Sequence, residues 1–196
     1  MRSPTVKRAI DVVGGIVGLV LGAAPMAVVA VLVRRSMGSP VLFRQDRPGL
    51  HGRPFTVVKF RTMLPGDGPD IERLTPVGNF LRATSLDELP EFWSVLKGDM
   101  SLVGPRPLLT SYLDHYSPRQ ARRHEMRPGL TGLAQVEGRN LSGWAERLEN
   151  DVHYVETWTV GGDLRIMGRT LVAVLKRTGV SAEGQATMTR FDEEPR

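Results

Sequence analysis

From Val12 to Val33 the chain reads VVGGIVGLVLGAAPMAVVAVLV, 22 residues without a charge. An unbroken helix of that length reaches about 33 Å, enough for the hydrocarbon core of a bilayer, so the segment is a membrane element. It is longer than the apolar region of a secretory signal, normally about 7 to 15 residues. The flanks argue against a simple crossing. Lys7 and Arg8 precede the run and Arg34 and Arg35 follow it, and because basic residues favour the cytoplasmic side, both ends ask for the same side. Pro25 removes one helical hydrogen bond and crowds the preceding turn. A sharp bend there leaves legs of 13 and 8 residues, which reach only about 20 Å and about 12 Å. The pattern predicts a re-entrant helix-break-helix hairpin that dips into one leaflet and returns, with a kinked crossing helix as the alternative. Backbone groups freed at the break would need partners at membrane depth, a cost of the hairpin.

Beyond it the period shortens. VLFRQ (41–45) and FTVVKFRTM (55–63) are apolar, β-branched runs joined by the turn-rich 47–52 segment, which predicts a β-hairpin. Lys59 and Arg61, two apart, then project from one face of the second strand. Residues 64–79, rich in proline and glycine, read as an exposed loop. Leu89, Phe92, Trp93 and Leu96 recur at i, i+3, i+4 and i+7, predicting a helix with these side chains in the core and Gly98 as its stop. Helical patterns return at 117–126, 144–155 and 164–177, the last a basic amphipathic helix that can lie on a membrane or serve as an ordinary surface helix. The fold class is α+β, mainly helical with a short β-hairpin. We expect a membrane anchor over 1–36, a cytoplasmic catalytic domain over 37–184 and a disordered polar tail over 185–196.

Charge sharpens this. The net charge is +5, yet residues 34–61 alone hold seven basic side chains against the single acid Asp46. A basic block directly after the apolar segment faces membrane phosphates first. Aromatic residues are only 6% of the chain and no stacking motif is present, so nucleic acid is not an expected partner. With no cysteine, thiolate metal sites and disulfides are excluded.

Candidate chemistry centres on Asp87 and Glu88 in TSLDELP (84–90). Ser85-x-x-Glu88 matches a capping box, in which both side chains simply satisfy free amides of the helix start. Pro90 is most comfortable as the first helical residue, which leaves the two carboxylates outside the helix in a turn. A helix start attracts phosphate and holds a carboxylate ionised, as a nucleophile requires. A carboxylate nucleophile beside a carboxylate metal ligand is a workable pair for phosphoryl chemistry, with magnesium as the expected ion. Arg82 and Arg106 are near enough in sequence to neutralise a transferring phosphoryl group, and Pro105 and Pro107 stiffen the backbone that aims Arg106.

The chain resembles the bacterial sugar transferases, also called monotopic phosphoglycosyl transferases. The likeness runs through Lys7-Arg8-x-x-Asp11, the Pro25-broken apolar segment, KFRTM (59–63), LRATSLDELPEFWSVLKGDMSLVGPRP (81–107), RPGLTGLAQVEGRN (127–140) and DVHYVETW (151–158), about nine tenths of the chain. The resemblance implies transfer of a sugar phosphate from a UDP-sugar donor to a polyprenyl phosphate acceptor, undecaprenyl phosphate, with release of UMP, as the first membrane step of surface glycan assembly. It implies that Asp87 attacks the β-phosphorus, that Glu88 helps hold magnesium together with Asp87, and that Lys59, Arg61, Arg82, Pro105, Arg106, Gln135 and Arg139 shape the substrate site. It also implies a re-entrant hairpin at the cytoplasmic membrane. Leu133 and Glu137 depart from the tryptophan and asparagine usual in the family, which puts nucleotide and sugar contacts from that loop in question.

Overall fold

A computed structural model describes residues 2–137, 143–176 and 191. The expected tail therefore lies outside the described residues except for Phe191, whose ring sits 5.5 Å from Tyr112 and 5.7 Å from Tyr116 and Trp144. Helices α1 (Pro4–Met37), α2 (Asp70–Arg73), α3 (Pro76–Thr84), α4 (Glu91–Lys97), α5 (Pro118–Ala121), α6 (Leu133–Glu137), α7 (Trp144–Thr157) and α8 (Val160–Leu175) dominate. Strands β1 (Leu42–Pro48) and β2 (Pro54–Phe60) form the expected antiparallel hairpin, in register Leu42 to Phe60 and Arg47 to Phe55. A parallel pair that no periodicity announced joins β3 (Ser101–Val103) to β4 (Gly129–Thr131), three residues each.

α1 is one helical element of 34 residues with Pro25 inside it. Tertiary packing accounts for its continuity. Lys7, Asp11, Gly15, Gly22, Val29, Val33 and Met37 are buried at spacings of four or seven, so one stripe leans on the rest of the protein from end to end. Near the start, Lys7 Nζ donates to the Val103 carbonyl at 2.9 Å and pairs with Asp163 at 2.7 Å. One to two turns on, Asp11 accepts from Ser101 Oγ and the Leu102 amide, both at 2.9 Å. In the middle, small residues let α4 approach: a methyl group on Gly18 would stand 2.4 Å from the Phe92 ring. The final turns pack Val29, Val33 and Met37 against Phe60 and Leu81. The opposite face is apolar and exposed, with Val13, Val20, Leu21 and Val28 each at least 60% accessible.

A second core of Val95, Met100, Leu102, Val103, Tyr154, Val155 and Ile166 joins α4, β3, α7 and α8. The helix expected from Leu89 begins at Glu91 and ends on Gly98, whose φ of 93° suits glycine. Its buried side is Glu91, Ser94 and Val95, while Phe92 and Leu96 meet α1. Trp93, expected in the core, is 56% exposed because the helix presents its apolar row to α1 rather than to the domain interior. The loop expected over 64–79 contains α2 and the first turn of α3. Thr75 caps α3 by accepting from the Gly78 amide at 2.9 Å. Along α8, Leu164, Leu171, Val172 and Leu175 are exposed.

Candidate active site

Asp87 and Glu88 lie in a short 3-10 turn, Leu86–Glu88, between α3 and α4. Ser85 enters it with φ 56°, and its hydroxyl makes no cap hydrogen bond, so the capping box does not form. Pro90 precedes the first residue of α4 and holds both carboxylates outside the helix. Glu88 instead turns toward the hairpin and the Pro105–Pro107 segment. Its Oε1 accepts from Lys59 Nζ at 2.6 Å and from Arg106 at 2.7 Å. Lys59 comes from β2, and Arg106 is aimed by its own backbone, whose carbonyl accepts from Arg123 at 2.6 Å. Arg123 is in turn fixed by Asp151 at 2.6 Å, a pair 2% and 4% exposed.

This arrangement separates the two carboxylates electrostatically. Burial alone would raise the Glu88 pKa, but Arg106 and Lys59 outweigh it and hold Glu88 well below the usual carboxylate range. Asp87, 8% exposed, is pushed up to about 6 by burial and by the neighbouring Glu88 charge, against the pull of Lys59, Arg106 and Arg82. A helix start by itself would depress Asp87. Burial and a like charge next door reverse that, and the depressed member is Glu88.

The remaining site residues divide. Arg82 donates to Thr62 Oγ1 at 3.1 Å and feels the Asp87 charge, so it belongs to the same cluster. Pro105 is buried, and its carbonyl accepts from the Gly129 amide at 2.9 Å, tying the Arg106 segment to β4. Arg61 is not brought to the pair. β2 ends at Phe60, and the Arg61 guanidinium donates to the Met37 and Gly38 carbonyls, closing the C-terminal end of α1. Gln135 donates to the Leu130 carbonyl at 3.2 Å rather than to either carboxylate. Arg139 lies outside the described residues. Leu133 packs against the second core and Glu137 pairs with Arg169, so both departures from the family pattern stand on the α6 to α8 side of the fold. Sequence reasoning missed Glu91, 2% exposed, whose Oε1 lies 3.0 Å from Lys59 Nζ. Its position three residues after Glu88 was the available signal, since that spacing returns a helical chain to the same side.

Among the described residues no group of three or more histidine or acidic side chains is placed to hold a metal ion, so a divalent cation would depend on one or two carboxylates plus substrate phosphates. Asp87 and Glu88 are the residues that would hold it.

A turn carrying two unequal carboxylates lies among Lys59, Arg82 and Arg106, in a chain whose first helix is long and apolar enough to cross a membrane, and such a cluster suits an anionic phosphate ligand. Residues 2–177 match the bacterial sugar transferase family, and the chain belongs to it. The sugar transferase EpsL of Bacillus subtilis (strain 168), itself uncharacterized, is 46% identical over 191 residues, covering 94% of this chain and 95% of that protein. The UDP-glucose:undecaprenyl-phosphate glucose-1-phosphate transferase of Caulobacter vibrioides is 44% identical over 187 residues, covering 86% of this chain and 69% of the relative. A protein of the same name from Escherichia coli (strain K12) is 39% identical over 183 residues, covering 84% of this chain but 39% of the relative.

Proposed function

We propose that this protein transfers a sugar 1-phosphate from a UDP-sugar to undecaprenyl phosphate, releasing UMP, through a covalent intermediate on Asp87. The observation that carries the reading is the inequality of the carboxylate pair. Glu88 has its charge bound up by Lys59 and Arg106, whereas Asp87 keeps a basic and hence more nucleophilic carboxylate that is still mostly ionised near neutrality. In the first step an Asp87 oxygen bonds to the β-phosphorus while the bond from that phosphorus to the bridging oxygen breaks. The bridging oxygen leaves with UMP. In the second, a phosphate oxygen of the lipid displaces Asp87 and carries the sugar phosphate away, regenerating the free carboxylate. Lys59, Arg82 and Arg106 offset charge on the diphosphate and its transition state. Magnesium, when bound by Asp87 and Glu88, supplies further charge neutralisation on the donor phosphates.

α1 supports placement at a membrane. A crossing helix carries its two ends to opposite faces, whereas here Lys7 and Met37 both pack on the same domain. With one stripe held by that domain and the other exposing valine, isoleucine and leucine, α1 suits insertion into a single leaflet. Pro25, inside α1, is the point at which we read a bend within the lipid that would give the re-entrant hairpin. We place the catalytic domain on the cytoplasmic face, where nucleotide sugars are made and where basic flanks are retained.

The deciding experiment incubates detergent-solubilised protein with magnesium and labelled UDP-glucose or UDP-galactose, without lipid acceptor. A stoichiometric burst of UMP and a protein-bound sugar phosphate are expected, both lost in Asp87→Asn. UMP release that requires the acceptor, with no adduct, would replace the covalent route by direct transfer.

A further inference from the structure

Next to the carboxylate pair lies a small cleft of about 100 Å³, lined by Arg47, Val57, Lys59, Glu91, Arg106 and Leu108 together with Pro107. Arg47 and Val57 reach it from β1 and β2, Glu91 from the first turn of α4, and Leu108 from the segment after Arg106. Its chemistry is mixed in a particular way. Three cations and three apolar side chains surround one carboxylate, and one oxygen of that carboxylate accepts no hydrogen bond. Lys59 approaches Glu91 Oε1 to 3.0 Å without hydrogen-bond alignment, so among the described residues this oxygen accepts no hydrogen bond although Glu91 is 2% exposed. Proteins seldom leave a buried acceptor in that state unless something else fills it.

The missing partner must suit both forms of Glu91, whose pKa burial raises to about 7 against the pull of Lys59, and a hydroxyl does so because it can donate and accept. It must also tolerate the apolar surface of Val57, Pro107 and Leu108, and it must adjoin an anion that Arg47 and Arg106 can face. Crowding between those two guanidiniums, which with burial lowers the proton affinity of Arg47, is relieved by such an anion. A ring bearing hydroxyl groups on one side and carbon-bound hydrogens on the other, linked to phosphate, meets all three conditions.

We propose that the cleft is the subsite for the hydroxyl-bearing ring that adjoins the donor diphosphate, with Glu91 Oε1 accepting from a ring hydroxyl. This rests on the reading of the site as a nucleotide-sugar transferase. The ring is either the transferred sugar or the ribose, two sources of the same chemistry. Glu91 is thereby a binding residue for donor selection, outside the bond-making pair.

The test is steady-state UMP release by wild type and Glu91→Gln with UDP-glucose, its singly deoxygenated sugar analogues, and its 2′-deoxyuridine counterpart. Loss of a charged hydrogen bond should raise the donor KM of Glu91→Gln about tenfold or more while kcat stays within a few-fold. One analogue, lacking the contacted hydroxyl, should show the raised KM already in wild type and no further rise in Glu91→Gln. A coupled sugar analogue assigns the cleft to the sugar, and a coupled 2′-deoxy analogue assigns it to the ribose. Leu108→Trp, which fills the cleft without touching Glu88, should also raise KM with an unchanged melting temperature. A KM rise equal across all donors would mean that Glu91 acts only through the Lys59 charge, and that overturns the proposal, as does no rise at all. Wild-type protein that releases no UMP from any donor sinks the underlying reading instead, a distinguishable failure.

Discussion

The buried pair Arg123 and Asp151 offers the sharpest energetic test of how this site is held. Both Nε and one terminal nitrogen of Arg123 donate to Asp151 Oδ2, at 3.0 and 2.6 Å, and the same terminal nitrogen donates to the Arg106 carbonyl. Replacing Asp151 by Ala leaves a guanidinium 2% exposed with no counter-charge. Such a loss costs about 3 to 5 kcal/mol, which in a protein of this size lowers the melting temperature by about 6 to 20 °C. Arg123→Met differs in kind. The orphaned Asp151 can take up a proton, whereas an orphaned arginine cannot give one up. Burial already raises the Asp151 pKa against the pull of Arg123, and without Arg123 the folded-state value rises further above the unfolded one. A group with a raised folded pKa contributes most stability at low pH, so the cost of Arg123→Met should shrink between pH 8 and pH 5 while that of Asp151→Ala does not. Urea unfolding followed by circular dichroism in detergent, at both pH values, measures this. The double variant Arg123→Met with Asp151→Leu should recover most of the loss, since no charge is left behind. Asp151→Ala within about 1 kcal/mol of wild type, or a pH-independent cost for Arg123→Met, would refute the assignment of this pair as a buried, mutually dependent clamp on Arg106.

Other consequences can be checked alongside. A methyl group on Gly78 would stand 1.8 Å from the Thr62 carbonyl oxygen, a backbone obstacle that cannot rotate away, so Gly78→Ala should destabilise by about 2 kcal/mol or more, whereas Gly168→Ala, with open space around it in α8, should stabilise by about 0.5 to 1 kcal/mol; thermal melts separate them. Burial and the adjacent Arg123 push His124 down to about 4. Its folded pKa thus lies below the unfolded value, and the stability it contributes is full above about pH 6.5 and lost as pH falls toward 4; allowing for solvent screening at a half-buried ring this is about 2 kcal/mol, a slope that His124→Gln should remove from the stability-versus-pH curve. Val20 and Leu21 are 69% and 72% exposed, so changing both to Glu should shift the protein from the membrane pellet to the supernatant while leaving the Lys7 and Met37 contacts and the far-ultraviolet spectrum unchanged.

Much of this molecule is dictated locally. The length and apolarity of Val12 to Val33, the turn-rich link between β1 and β2, and the glycine that stops α4 are consequences of backbone preference and side-chain period, which neighbouring residues settle among themselves. Pro90 alone was enough to put Asp87 and Glu88 outside the helix. What local spacing could not decide was which charges meet and in what surroundings. Lys59 and Arg61 are two apart, yet one reaches Glu88 and the other closes α1, because the strand ends between them. Trp93 follows the same helical period as Phe92 but faces outward, since the surface that covers α4 is α1 and not the domain interior. Pro25 marks a break by its own chemistry, but contacts spread from Lys7 to Met37 keep α1 as one element. The inequality of Asp87 and Glu88 is the clearest case. Adjacent residues of the same charge differ in proton affinity only because folding brings Lys59 from β2 and Arg106 from beyond β3 onto one of them and buries the other. Electrostatic environment depends on distance and burial in three dimensions, and neither is written in the order of the residues.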